Sequence, residues 1–137
     1  MRSSHGILLF LTLLLVSPSL EARDAVTTAE INGTFTGRNG STFDILSVGK
    51  DKLQMSFSGI EGLTNTGQAT GIADFQGDTA YLRPAGHEKT CTLIIRFLRP
   101  GQIQATQNGD SSDCGFGPNV RADGSYRKTS SVKPVIY

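Results

Sequence analysis

The chain has 137 residues and a formal net charge of +1 at pH 7. This length fits one domain that buries about two thirds of its unfolded surface, and the near-zero charge gives no reason to expect a nucleic-acid partner. Only two cysteines and two histidines are present, and one histidine, His5, lies in the N-terminal segment. Zinc sites and the usual nucleophilic triads need more such residues, so we predict no metal, no cofactor and no catalytic residues.

The N-terminal segment has the layout of a secretory signal peptide. Arg2 and His5 precede an apolar run from Ile7 to Val16, and small or polar residues follow it. A membrane-spanning helix needs roughly twenty apolar residues, about twice this run, so we expect no stable membrane anchor after cleavage. We assign residues 1–22 to the signal peptide and residues 23–137 to a single domain. The predicted location is periplasmic or extracellular.

Short runs of β-branched and aromatic residues follow, separated by glycine-containing turns. The eight predicted strands cover residues 28–36, 41–48, 52–59, 67–75, 78–84, 91–98, 102–107 and 124–128. Alternation is clearest where Leu53, Met55 and Phe57 face one side, and no helical period is visible after residue 25. The connections are too short for parallel crossovers. We therefore predict an all-β fold, a single antiparallel meander of about eight short strands closed into a small β-barrel, with a β-sandwich as the alternative.

Cys91 and Cys114 are the two cysteines of the chain. In an oxidising compartment, an even pair in a small domain predicts a disulfide. Strand alternation places Cys91 on the inward face with Leu93 and Ile95. Closing a loop of this length stabilises a domain by about 3 kcal/mol in the chain-entropy model.

Other polar residues give weaker signals. His87 stands in a turn beside Glu88, where a solvated side chain is favoured over a ligand or a base. Carboxylates at Glu61, Asp74 and Asp78 have the chemistry for glycoside hydrolysis, but their spacing in sequence does not select a pair.

Three asparagine-containing segments have alternative interpretations. The loop 108–113 carries oxygen ligands that suit calcium, yet it lacks the glutamate and the spacing of an EF-hand, so a polar turn is favoured. Asn32 and Asn39 begin glycosylation sequons. Asn39-Gly40 is also a turn signal, and Asn32-Gly33 indicates a β-bulge.

The segment from Cys114 to Lys128 reads Cys-Gly-x-Gly-x-Asn-Val-x-x-Asp-Gly-x-Tyr-x-Lys. In this pattern the chain resembles a group of small exported bacterial proteins, and "TAYLR" and "CTLIIRF" upstream fit more loosely. The resemblance covers about the last 60 residues. It implies an exported β-rich domain and supplies no activity.

The same segment is similar in composition to the loop of periplasmic lysozyme inhibitors, although the order of residues differs. Those inhibitors are small disulfide-bearing β-barrels that insert Ser and Lys or Arg into the acidic cleft of the enzyme. The C-terminal tail is also mildly basic, which suits an acidic partner. The predicted partner-binding residues are Arg121, Ser125, Tyr126, Arg127 and Lys128.

These observations predict a non-enzymatic, exported binding domain with a protein or glycan partner. The most specific form of this prediction is an inhibitor of a cell-wall hydrolase such as lysozyme. The alternatives are a carboxylate-dependent hydrolase and a structural envelope protein that assembles through exposed strand edges. A filled barrel interior would favour protein binding through the loops, whereas a large apolar cavity would favour ligand carriage.

Overall fold

The computed structural model describes residues 14–15 and 25–137, so the predicted signal peptide lies almost wholly outside the described residues. Eight antiparallel strands, each hydrogen-bonded to its neighbours in chain order, form a closed barrel. The elements are α1 (Thr28–Ile31), β1 (Gly33–Gly37), β2 (Thr42–Gly49), β3 (Lys52–Glu61), β4 (Asn65–Gln76), β5 (Thr79–Leu82), β6 (Thr92–Arg99), β7 (Gln102–Asn108) and β8 (Gly124–Ser130).

Pairing of β1 with β8 closes the barrel. Thr36 of β1 lies opposite Arg127 of β8 on one side and opposite Thr42 of β2 on the other. The predicted antiparallel meander and barrel are thus confirmed, and the sandwich is not the fold. Every strand has a bonded neighbour on both sides, so no strand lies at a free edge along its whole length.

The first predicted strand was wrong at its start. Residues 28–31 form one turn of α-helix, and β1 begins only at Gly33. Thr27 caps this turn, because its hydroxyl accepts a hydrogen bond of 3.2 Å from the amide of Glu30. A helix of four residues is too short to leave a helical period in the sequence. The bulge predicted at Asn32-Gly33 is not found at that dipeptide. The register of β1 with β8 shifts between Thr34 and Phe35, and the extra residue there is Thr129 of β8.

Side chains fill the interior of the barrel. Leu53, Met55 and Phe57 alternate into it as predicted, and each is almost fully buried. Aromatic rings meet edge to face or tilted, with Phe43 lying 4.9 Å from Phe57 and 4.8 Å from Tyr126 between ring centroids. Such pairs add about 0.5–1.5 kcal/mol each beyond their buried area. A packed interior favours protein binding through the loops over carriage of a ligand inside the barrel.

The two ends of the barrel differ in their connections. At the hairpin end, α1 lies near the short turns at 50–51, 77–78 and 100–101. At the loop end, the connections cover 38–41, 62–64, 83–91 and 109–123. The last of these, residues 109–123, is the disulfide loop.

The disulfide loop closes the loop end. Phe116 is buried there against Phe57, with ring centroids 5.3 Å apart. The amide of Gly117 donates to the carbonyl oxygen of Thr66 on β4 at 2.9 Å. Gly67 makes this approach possible, because a Cβ atom at that position would lie 2.8 Å from the Phe116 side chain.

Candidate functional site

Cys91 and Cys114 form the predicted disulfide, with their Cα atoms 5.0 Å apart. Both cysteines are buried, and the bond fixes the disulfide loop to the start of β6. A disulfide fits an oxidising, exported location. Across residues 14–15 and 25–137, no helix combines the length and the apolar character that crossing a membrane requires.

The acidic part of the disulfide loop binds its own backbone. Asp110 accepts hydrogen bonds of 2.8 Å from the amide of Asp113 and from the hydroxyl of Ser112. These bonds, the backbone one first, hold the pKa of Asp110 below its ordinary value. Asp113 accepts from the amide of Asp110 at 2.9 Å. In the part of the chain that the structure describes, no group of three or more His, Cys, Asp or Glu side chains is placed to hold a metal ion.

His87 lies on the other connection of the loop end and is half-buried. Its ring packs against the disulfide loop so closely that a Cβ atom on Gly115 would lie 2.3 Å from His87 Nε2. The side chain is therefore a packing contact of the disulfide loop rather than a fully solvated group.

The predicted partner-binding residues are not brought together. Arg121, in the disulfide loop, donates from Nε to Asp123 Oδ2 at 2.6 Å. Ser125 lies on the outer wall, where its hydroxyl donates to Gln104 Oε1 at 2.7 Å. Both are exposed but already hydrogen-bonded within the protein.

Tyr126 belongs to the core. Its side chain is only 3% exposed, and its hydroxyl donates to the carbonyl oxygen of Ala122 at 2.8 Å. Burial, followed by the charge of Asp123, raises the pKa of the Tyr126 hydroxyl. Successive side chains of a strand point to opposite faces, so Tyr126 faces inward while its neighbours on β8, Ser125 and Arg127, face outward. The Tyr126 side chain therefore has a structural role and is not accessible to a partner.

Lys128 is also engaged within the protein. Lys128 is two residues after Tyr126 on β8, so its side chain starts from the same face of the strand. Its Nζ donates to the carbonyl oxygens of Ala29 and Asn32, both at 2.9 Å. Partial burial lowers the pKa of Lys128, and the charge of Glu30 opposes this shift. Lys128 thus fixes α1 to the hairpin end of the barrel instead of offering its charge to a partner.

Arg127 is the predicted residue that is left exposed for binding. It lines a shallow groove of about 110 Å³ with Arg99, Pro100, Gly101 and Gln102, which we call the basic groove. Gln102 on β7 is opposite Arg99 on β6 and opposite Arg127 on β8, so the register places the two arginines on either side of it.

The two arginines of the basic groove have no carboxylate partners among the described residues. By contrast, Arg96 pairs with Asp78 and Arg121 pairs with Asp123. Arg99 and Arg127 are both exposed, and each guanidinium carries five N–H donors arranged to match carboxylates. The basic groove can therefore bind an anionic group from outside the chain.

Arg99 was missed in the sequence because its segment was interpreted only as a turn. Its proximity to Arg127 depends on the pairing of β7 with β8. Those strands are separated by the disulfide loop, so no local pattern shows that they are neighbours.

Two of the three carboxylates considered for hydrolysis, Glu61 and Asp74, lie far apart. Asp74 is opposite Lys52 at one end of β3, and Glu61 is nine residues along β3 from Lys52, so about 30 Å of strand separates the two carboxylates. Asp78 is in the turn before β5, where it accepts from Arg96 Nε at 3.3 Å. Glycoside hydrolysis needs two carboxyl groups about 5–10 Å apart. Glu61 and Asp74 therefore do not form such a pair.

Among the candidate residues described above, those of the basic groove combine a concave surface with two guanidinium groups that have no carboxylate partner in the described chain. It lies at the hairpin end, away from the disulfide loop. Comparisons of the chain with protein-family models, with curated proteins and with solved structures find no match, so the basic groove is assigned from its own geometry.

Proposed function

We propose that the protein is a non-enzymatic binding domain, exported to the periplasm or the cell exterior, whose basic groove docks onto carboxylates of a protein partner. The observation that carries this proposal is the pair Arg99 and Arg127, exposed on either side of Gln102 with no carboxylate of the described chain bound to either. A partner that supplies two carboxylates would complete both guanidinium groups.

The spacing of the arginines suits a particular class of acidic site. Two strand spacings separate the Cα atoms of Arg99 and Arg127, which is roughly 10 Å. The two catalytic carboxyl groups of a glycosidase are about 5–10 Å apart. Since arginine side chains are long, both guanidinium groups can reach such a pair. The most specific form of the proposal is therefore that the protein inhibits a cell-wall hydrolase such as lysozyme.

The hairpin that carries Arg99 has a tight turn at its tip, a shape that suits insertion into a cleft. Pro100 and Gly101 form the tip, and Gly101 has a φ of +80°, which is the value required at the third position of a type II turn. The neighbouring strands belong to a closed, filled barrel. A rigid tip loses little conformational entropy on binding, which favours affinity.

A lysis assay tests this function. We expect the purified protein, in micromolar excess, to slow the lysis of cell-wall material by at least one of several lysozymes. The double variant Arg99→Ala/Arg127→Ala should lose at least about tenfold in potency, since each charged hydrogen-bonded pair contributes more than 1 kcal/mol.

The matched control is Arg96→Ala/Arg121→Ala, which removes the same charge from two arginines that already have carboxylate partners. It should inhibit as the unmodified protein does. Unaltered lysis rates with every lysozyme would remove the inhibitor proposal, and equal loss in both double variants would show that net charge, not the basic groove, is responsible.

A further inference from the structure

A second groove lies on the outer wall of the barrel, across β3, β4 and β5. Its volume is about 450 Å³, which is within the range of small-molecule binding sites. It is lined by the polar residues Asp51, Lys52, Asp74, Gln76 and Arg83 and by the aromatic residues Phe75 and Tyr81, and we call it the wall groove.

The strand register builds the wall groove. Lys52, Asp74 and Tyr81 lie in one row, because Asp74 is opposite Lys52 on β3 and opposite Tyr81 on β5. Gln76 is two residues after Asp74 and therefore lies on the same face of the sheet. The row places an aromatic ring directly beside a carboxylate.

The charges of the wall groove balance. Lys52 Nζ donates to Asp74 Oδ1, and Arg83 Nη1 lies 4.0 Å from Asp74 Oδ2. The hydrogen bond and the charge of Lys52 lower the pKa of Asp74, so this side chain stays a carboxylate with acceptor capacity left on Oδ2. Asp51 supplies the second negative charge, so two positive and two negative groups line the groove. Such a lining favours a neutral ligand over an anion or a cation.

Tyr81 gives the groove a partly exposed aromatic surface. The side chain is 37% exposed and stands on the outer face of β5. An aromatic face is electron-rich and attracts the weakly positive C–H bonds of a ligand laid against it. Around the ring, Asp74 is an acceptor, Arg83 is a donor, and Gln76 is both.

We propose that the wall groove binds a neutral pyranose sugar. A pyranose ring has a face of C–H bonds, which would stack on Tyr81, and a rim of hydroxyl groups, which are both donors and acceptors. Asp74, Gln76 and Arg83 would bind that rim. Because the groove is shallow and open, we expect an affinity in the millimolar range for a short oligosaccharide.

The wall groove is independent of the basic groove. In a closed barrel of eight strands, β4 lies across the barrel from β8. A glycan at the wall groove and a protein partner at the basic groove can therefore be bound at the same time. Neither site depends on the other for its geometry.

Amide chemical shifts of the purified protein test the proposal. The probes are N-acetylglucosamine tetramer and cellotetraose as neutral sugars, and galacturonate tetramer as an acidic one. We expect saturable shifts with at least one neutral probe at the amides of Asp74, Gln76 and Tyr81. Tyr81→Ala should weaken that binding at least about tenfold, whereas Tyr81→Phe, which keeps the ring, should stay within about threefold.

Three results would overturn the proposal: no saturable shift with either neutral probe, shifts confined to amides outside the wall groove, or equal binding by Tyr81→Ala and the unmodified protein. Binding of the acidic probe alone would show that the ligand class is wrong. Arg99→Ala/Arg127→Ala should bind the neutral probes normally, so failure of the basic groove and failure of the wall groove are separate results.

Discussion

The ammonium group of Lys128 lies over the ring of Phe35, 5.3 Å from the ring centroid. Because the same ammonium group binds two backbone carbonyls beside α1, one side chain joins the helix, β8 and the core ring of β1. A lysine that faces the end of a barrel can reach out of the interior with its charge while its stem covers apolar surface. Lys128 is therefore part of the fold.

We predict that Lys128→Met destabilises the protein by about 1–3 kcal/mol, because two charge-assisted hydrogen bonds and a cation–π contact are lost. The free energy of unfolding in urea measures the change. The control is Arg127→Met, one residue away and exposed, which should stay within about 0.5 kcal/mol of the unmodified protein. Equal effects of the two substitutions would contradict the structural role of Lys128.

Gly67 allows Phe116 to close the loop end, so a larger residue there should be unfavourable. We predict that Gly67→Ala costs about 1–3 kcal/mol, since the new Cβ would lie 2.8 Å from the Phe116 ring. Gly49→Ala is the matched control, because a Cβ at Gly49 meets nothing within 4 Å. Thermal unfolding of both variants measures the difference. A partial recovery in Gly67→Ala/Phe116→Leu would assign the cost to this contact, and no recovery would place it elsewhere.

The strand pattern predicted the barrel because each strand carries its own signal. Leu53, Met55 and Phe57 alternate, and alternation with short glycine turns is enough to define an antiparallel meander. The helix at Thr28–Ile31 was missed because one turn has no period, although Thr27 and Glu30 have the spacing of a helix cap.

The candidate site was predicted only in part, because composition shows which residues are charged but not which way their side chains point. Lys128 and Arg127 are adjacent basic residues, yet one faces the end of the barrel and the other faces solvent. Tyr126 would have been assigned to the core by extending the alternation of β8. The proximity of Arg99 to Arg127 is a long-range relationship that only the strand register provides.

The disulfide fixes the disulfide loop to the barrel across a sequence separation of 23 residues. We predict that Cys91→Ala/Cys114→Ala lowers the free energy of unfolding by about 3 kcal/mol in the chain-entropy model. Amide hydrogen exchange should become faster at Phe116 and Val120 than at Met55 within β3, because the loop is released before the barrel opens. Equal acceleration at all three amides would show instead that the bond stabilises the barrel as a whole.

Asp110 gives the disulfide loop a pH dependence. Its pKa is lowered in the folded protein, first by the amide of Asp113 and then by the hydroxyl of Ser112, from an ordinary value of 3.8. A carboxyl group with a depressed folded pKa contributes its full stability above the unfolded pKa, and that contribution is lost as the pH falls through the folded pKa. Asp110→Asn, which mimics the protonated group, should therefore be less stable than the unmodified protein at about pH 7, and the difference should narrow towards about pH 2.5. Urea midpoints over that range measure it. A difference that stays constant with pH would show that Asp110 stabilises the loop through shape and hydrogen bonding alone, without its charge.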